Sequence, residues 1–169
     1  MRKIIFDEKT CQGIVYNKDD IEVLDKRWFG RREGDKLILS LEETAYLLLK
    51  GEIVIDLGTS ELSSLEELMR KYSSCFEKMF WPKLIVYNDL RSRGRRVRVL
   101  DEKRFLVKHK DGSLKLLLIL EEKSLTSIND IISYVEQARR NNLELALAIV
   151  SLQGDITYYT VSSIELVRG

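Results

Sequence analysis

The sequence has few of the residues that build metal centres, disulfide scaffolds or membrane spans. Its 169 residues include two cysteines, one histidine and one proline. A structural zinc site needs about four ligands, more than these cysteines and the histidine supply within one chain. Cys11 and Cys75 lie outside any CxxC motif, so we expect both thiols to be reduced. The longest apolar runs, such as residues 116–120, are far shorter than the roughly 20 residues that span a bilayer.

The sequence also lacks an excess of charge of either sign. The chain carries 28 Lys and Arg against 27 Asp and Glu, which excludes a protein that binds polyanions with its whole surface but leaves room for a local basic patch. Charged residues make up 33% of the chain, above the average of about 25%, which favours a heat-adapted source. The first nine residues, MRKIIFDEK, lack the apolar core of a signal peptide, so we expect a cytoplasmic protein without a membrane partner.

The first half of the chain predicts a small α/β domain. Short apolar runs bounded by polar residues predict four strands, at residues 3–6, 13–16, 36–39 and 52–55. Ser40 and Glu43 form the pattern of a capping box before the helix at 41–50, which Gly51 ends. A second helix is predicted at 60–72. We therefore predict an N-terminal domain at 1–60 and a connecting segment at 61–81.

The second half predicts a mixed α/β domain at 82–169. A helix at 83–93 is expected to end at Gly94, and a second, amphipathic helix covers 127–141. Asp111-Gly112 is the two-residue signal of a type I′ hairpin. The predicted strands lie at residues 96–100, 104–110, 113–120, 145–150 and 156–166.

Three segments resemble the archaeal tRNA-splicing endonuclease family. They are VYNDLRSRG at 86–94, AIVSLQGDITYY at 148–159 and LSLEETAYLLLKG at 39–51. The resemblance implies a two-domain subunit whose C-terminal half has a restriction-endonuclease-like mixed sheet. It also implies assembly into a four-unit enzyme that cuts precursor tRNA without metal or another cofactor.

The residues that this family uses for catalysis have no counterparts here. The family uses a tyrosine, a histidine and a lysine, which supply a base, an acid and a cation for the phosphate. In the segment expected to hold the tyrosine, residues 101–105, only Phe105 matches. The expected histidine loop is shortened to 110–112, and the lysine position holds Leu143. The resemblance therefore implies a non-catalytic, structural subunit that forms a heterotetramer of two plus two with a catalytic subunit.

The same resemblance indicates which surfaces would contact the partner and the RNA. Gly154 and Asp155 correspond to an acidic loop that inserts into a basic cleft of another subunit, although Gly and Asp also form ordinary turns. The following strand, with Tyr158, Tyr159 and Val161, corresponds to a dimer contact, and core packing is the alternative for its side chains.

A basic segment is the candidate RNA contact. Residues 91–104 hold seven Arg and Lys against two acidic residues, an excess of five positive charges. Arg91, Arg93 and Arg95 are the candidate phosphate contacts. A solvated helix end followed by an edge strand would show the same pattern, since cations are favoured at a helix C-terminus.

Two enzymatic alternatives stay open at this point. Asp111, Glu121 and Lys123 match the acidic and lysine pattern of metal-dependent nucleases, in which carboxylates hold Mg²⁺. In the other alternative, the chain is a catalytic subunit whose catalytic residues have been relocated, with His109 as the base.

Overall fold

The computed structural model describes residues 1–77, 79–124 and 126–161, and it divides the chain into two compact units, Met1–Asn88 and Asp89–Gly169. Helices and strands alternate in both, so the predicted mixed α/β class is confirmed. Within the described residues, no helix has the length and apolar character needed to cross a membrane.

The first unit contains a mixed sheet with strand order β3-β4-β2-β1-β5-β6. Among the described residues of this unit, β1 and β5 pair in parallel and the other strand pairs are antiparallel. The strands are β1 (Arg2–Asp7), β2 (Gln12–Val15), β3 (Arg31–Glu33), β4 (Lys36–Leu39), β5 (Ile53–Asp56) and β6 (Glu61–Leu62). The helices are α1 (Lys18–Lys26), α2 (Leu41–Leu49), α3 (Leu65–Lys71), a 3₁₀ turn at Ser73–Cys75, and α4 (Phe80–Ser92), which continues into the second unit.

Helix α2 begins as its sequence predicts. The Glu43 N–H donates to Ser40 Oγ at 3.1 Å, and the Ser40 N–H donates to Glu43 Oε2 at 2.8 Å. The second oxygen of Glu43 accepts from the buried N–H of Gly30 at 2.9 Å. One carboxylate therefore caps the helix and also fixes the chain segment that enters β3.

Two helices in this unit differ from the prediction. Helix α1 was not predicted; Asn17 caps it through a hydrogen bond from the Asp20 N–H. The helix predicted at 60–72 begins later than expected, because residues 61–62 pair with β5 and α3 starts only after its N-cap, Ser64. In both places the capping residue marks the true start, and the apolar spacing alone does not.

The two cysteines form a disulfide, so the expectation of two reduced thiols was wrong. Cys11 ends the β1–β2 turn and Cys75 lies in the 3₁₀ turn, with their Cα atoms 5.5 Å apart across a sequence separation of 64. Folding of the first unit brings these distant segments together. Intracellular proteins of hyperthermophilic archaea are an exception to the rule that cytosolic thiols stay reduced.

The described residues of the second unit form a five-stranded sheet of order β11-β10-β9-β8-β7, and they also include the end of α4 and the helix α5 (Ile128–Arg140). Its strands are β7 (Arg96–Val99), β8 (Arg104–Lys108), β9 (Leu114–Glu121), β10 (Glu144–Val150) and β11 (Ile156–Val161). β9 and β10 are parallel and the other pairs are antiparallel, as expected where a helix connects two neighbouring strands. The predicted extension of the last strand beyond Val161 lies outside the described residues.

The β8–β9 hairpin differs from its prediction. The His109 N–H donates to Ser113 O at 2.9 Å and the Gly112 N–H donates to His109 O at 3.0 Å. Three residues, 110–112, therefore close the hairpin, and Gly112 has a φ of 88°. This geometry is a three-residue turn with a glycine bulge rather than a two-residue type I′ turn, in which both central residues have positive φ.

Candidate functional site

The C-terminal hairpin holds the predicted partner loop at one end of the second sheet. Ser151 and Asp155 close it: the Ser151 N–H donates to Asp155 O at 2.8 Å, and the Asp155 N–H donates to Ser151 Oγ at 3.0 Å. Gly154 takes a φ of 86°, which favours glycine. The Asp155 residue is exposed, and the neighbouring Leu152 is 79% exposed. The hairpin therefore presents an acidic and an apolar group to solvent.

Strand β11 follows at the edge of the described sheet and divides its side chains between two faces. Tyr159 and Val161 pair with Leu147 and Leu145 of β10, and Val161 packs against the apolar cluster under α5. Tyr159 is 52% exposed on that same side. Tyr158 lies on the opposite face, as the alternation of strand side chains requires.

Tyr158 belongs to a polar cluster at the end of α4. Its hydroxyl donates to Asp89 Oδ2 at 2.7 Å, and Arg93 Nε contacts the other oxygen of Asp89 at 3.2 Å. The Arg93 guanidinium also lies 5.8 Å from the centre of the Tyr158 ring. Burial, and then the hydrogen bond and charge of Asp89, raise the pKa of the Tyr158 phenol. The cluster fixes the edge strand to the helix end.

The three candidate RNA-contact arginines have different environments. Arg91 is half-buried and donates to the Val97 carbonyl at 3.0 Å, closing the turn into β7. Arg93 forms an ion pair with Asp89, and the Arg93 side chain is 62% exposed. Arg95 leaves the helix after Gly94, where the Arg95 N–H donates to Leu90 O at 2.9 Å. The three arginines therefore differ in their contacts and in their exposure to solvent.

The segment at the family's tyrosine position is a closed turn. Asp101 Oδ1 accepts from the N–H groups of Lys103 and Arg104, each at 3.0 Å. Burial favours a higher pKa for Asp101, but the Arg104 guanidinium and these N–H donors outweigh it and hold the pKa below its usual value. Arg104 also donates to Gln137 of α5 at 2.8 Å. These groups hold the turn against α5.

The position of the family's lysine is part of a helix cap. The Asn142 N–H donates to Arg139 O and the Leu143 N–H donates to Ala138 O, at 3.0 and 2.8 Å, which is a Schellman motif. Asn142 takes the left-handed conformation with a φ of 54°. Leu143 packs against the apolar cluster that Leu116, Leu118, Ala138 and Leu145 form between α5 and the sheet. The Leu143 side chain therefore makes apolar contacts at a position where the family pattern has a cation.

His109 is half-buried at the end of β8, next to the shortened loop. Burial lowers the pKa of its imidazole, and the nearby positive charges of Arg95 and Lys115 lower it further. The negative charges of Asp111 and Glu144 raise the pKa of His109 and partly offset this shift. Two cations and two carboxylates therefore lie near the half-buried His109.

The metal-nuclease alternative is wrong in its geometry. Asp111 precedes β9 and Glu121 ends it, so an eight-residue strand separates them. At about 3.3 Å per residue the two carboxylates lie more than roughly 20 Å apart. Asp111 instead accepts hydrogen bonds from the N–H and hydroxyl of Ser113. Within the described residues, no group of three or more His, Cys, Asp or Glu side chains is placed to hold a metal ion.

Two contacts in this part of the molecule are not predictable from local sequence. Asp89 lies in the segment that carries the family resemblance, and it accepts a hydrogen bond from Tyr158, which is 69 positions further along the chain. Lys110 belongs to the predicted hairpin turn, and the sequence gives no sign of what its side chain contacts. Its side chain lies over Gly94, with Nζ 3.7 Å from the place that a Cβ on this glycine would occupy.

Two family models match most of the chain. The tRNA intron endonuclease N-terminal domain matches residues 4–69, and the tRNA intron endonuclease catalytic C-terminal domain matches residues 80–158.

Curated relatives match over most of their own length. A tRNA-splicing endonuclease of Thermococcus kodakarensis is 36% identical over 146 residues, which is 83% of this chain and 86% of the relative. One of Pyrococcus horikoshii is 36% identical over 148 residues, 85% and 86% of the two chains. One of Methanococcus vannielii is 29% identical over 160 residues, 90% of each chain. With both domains matched and the relatives covered almost end to end, the chain belongs to the tRNA intron endonuclease family.

Proposed function

We propose that this chain is the non-catalytic, structural subunit of a heteromeric tRNA-splicing endonuclease. It assembles two plus two with a catalytic subunit and positions that subunit for metal-independent cleavage of precursor tRNA. The observation that carries the proposal is Leu143, because the side chain at the family's lysine position is a half-buried leucine that packs against the apolar cluster under α5. A leucine cannot supply the positive charge that would stabilise the phosphate during cleavage.

The other two positions support the same role. Residues 101–104 form a turn in which Arg104 is held by Asp101 and Gln137. The loop at 110–112 is only long enough to close the hairpin. Neither segment offers a tyrosine or a histidine where the family pattern has one, so acid and base groups are lacking there.

Exposed apolar groups on the second unit support a protein partner. Ile128 and Ile132 lie one turn apart on α5 and are 76% and 49% exposed. Leu152 is exposed next to Asp155, and Tyr159 is exposed on β11, which lies at the edge of the described sheet. Edge strands and exposed apolar patches are features that partner subunits cover.

The proposed role places the protein in the cytoplasm. The disulfide is compatible with this location in a heat-adapted archaeon, where intracellular disulfides are common. The archaeal relatives named above are consistent with such a source.

A second candidate is a catalytic subunit that uses His109 as its base. The lowered pKa of His109 favours it, because a neutral imidazole can accept a proton near neutral pH. The cations around His109 could stabilise a phosphate.

Reconstitution tests both candidates. The pure chain, a catalytic family subunit and their mixture are each incubated with a precursor tRNA transcript in EDTA. We expect no cleavage by the pure chain and efficient cleavage by the mixture, with His109→Ala behaving as wild type. Cleavage by the pure chain that His109→Ala abolishes would establish the second candidate instead.

A further inference from the structure

A group of cations gathers around the β8–β9 hairpin, at the opposite end of β9 from Asp155. Lys110 reaches over Gly94, the neighbour of Arg95. His109 directly follows β8, and it is close enough to Arg95 and Lys115 for their positive charges to lower the pKa of its imidazole. The eight residues of β9 separate this end of the sheet from the β10–β11 hairpin.

The local carboxylates compensate these charges only in part. Glu144 pairs with Lys115 at 3.5 Å, and Asp111 is engaged by Ser113. Within residues 1–77, 79–124 and 126–161, no ion pair joins a carboxylate to Arg95 or Lys110. Like charges that fold together without counter-charges raise the free energy of the folded state and create a local positive potential.

We propose that Arg95, His109 and Lys110, which we call the hairpin patch, bind backbone phosphates of the precursor tRNA. The inference rests on the proposed function for the identity of the RNA, and it moves the main contact from Arg91 and Arg93 to the hairpin. Arg91 and Arg93 already donate hydrogen bonds to Val97 and Asp89.

The chemistry of the patch suits a phosphate chain. Lys110 is exposed, whereas Arg95 and His109 are half-buried. Guanidinium groups form paired hydrogen bonds with phosphate oxygens, and lysine adds a point charge. A phosphate near the half-buried His109 would offset the neighbouring positive charges.

The test is RNA binding by the full-length chain, measured by fluorescence anisotropy with a labelled precursor tRNA transcript from 50 to 300 mM salt. The Arg95→Gln/Lys110→Gln variant is expected to bind on the order of tenfold more weakly, with a salt slope reduced by about two. The control variant Arg139→Gln/Arg140→Gln removes the same charge from exposed positions of α5 in the same unit and should bind as wild type. The charge-preserving variant Arg95→Lys/Lys110→Arg should keep most of the affinity and show that the loss does not come from misfolding.

Failure of this inference is distinct from failure of the proposed function. Equal losses in the patch and control variants, or no RNA binding by the wild type at 50 mM salt, would overturn the patch, whatever the reconstitution shows. Sedimentation with the catalytic subunit provides the second readout. If the patch variant binds RNA normally but no longer assembles, the patch receives an acidic protein segment and the RNA assignment is wrong.

Discussion

The hydroxyl of Tyr158 donates a hydrogen bond to Asp89 Oδ2 at 2.7 Å, joining the edge strand β11 to the end of helix α4 across 69 residues of sequence. Arg93 contacts the same carboxylate, so a residue proposed for the partner interface and a residue predicted to contact RNA meet at one aspartate. This contact fixes the strand that carries the proposed dimer surface.

Tyr158→Phe should lower the free energy of unfolding by about 1 to 2 kcal/mol, because Asp89 loses a hydrogen-bond donor in a half-buried site. The pKa of Tyr158 is raised, so the folded state favours the protonated phenol. Its contribution is therefore complete below the unfolded pKa of about 10 and is lost as pH rises towards the folded value.

Urea unfolding of wild type and Tyr158→Phe between pH 7 and 11 measures this effect. The stability difference should be constant to about pH 9 and shrink above pH 10. Tyr159→Phe is the matched control, because the neighbouring ring is 52% exposed, and it should change little. A constant difference across the whole range would mean that the phenol does not carry the linkage.

Removal of the disulfide should destabilise the first unit. Closing a loop of this length is worth about 4 kcal/mol in the chain-entropy model, so Cys11→Ser/Cys75→Ser should melt lower by about 10 °C or more. Differential scanning calorimetry with and without a reductant checks this. Wild type in reductant should approach the double variant, which should not respond to reductant. Two free thiols in unfolded, non-reduced wild type would show that the bond is absent.

The buried ion pair between Lys83 and Glu42 should be costly to break from one side. Lys83 Nζ and Glu42 Oε1 are 2.6 Å apart, and the side chains of Lys83 and Glu42 are 11% and 5% exposed. Lys83→Met would strand a buried carboxylate and cost about 3 to 5 kcal/mol, whereas Glu42→Gln/Lys83→Met should recover a large part of this loss. Chemical denaturation gives both values.

A surface pair provides the control for this experiment. Lys3 and Glu61 form an ion pair with side chains 63% and 43% exposed. Lys3→Met should change the free energy of unfolding far less than Lys83→Met does, because solvent screens exposed charges. Equal costs for the two lysine variants would contradict the argument from burial.

Asp155→Ala should weaken assembly with the catalytic subunit while the chain itself stays folded. The residue is exposed on a hairpin tip and contributes little to the core, but losing one member of a desolvated charge pair costs about 2 to 5 kcal/mol. Assembly should weaken on the order of 30-fold or more, and cleavage should fall with it. Analytical ultracentrifugation of the mixture measures the assembly.

Glu102→Ala removes an exposed acidic residue from another loop of the same unit and serves as the control. It should assemble as wild type does. If Asp155→Ala assembles fully and is fully active at elevated salt, where weak ion pairs are screened, Asp155 is not an interface contact.

Local signals in the sequence were sufficient for much of the fold. Ser40 and Glu43 cap α2 as predicted, and Gly94 ends the hydrogen-bonding pattern of α4 with a φ of 76°. The apolar run at 145–150 falls within β10, which lies inside the sheet. These features depend on residues within a few positions of each other, so capping and periodicity predict them. Asn17 and Ser64 carried similar signals that would have placed α1 and α3 correctly.

The sequence by itself determined the family, the mixed α/β class and the candidate surfaces, because these depend on local patterns and segment resemblance. Only the tertiary structure decided the partners of each side chain. Cys11 meets Cys75, Tyr158 meets Asp89, and Asp111 is kept far from Glu121. Strand order and register bring together residues that are distant in the chain, and they separate residues whose spacing matches a motif, which no local pattern encodes.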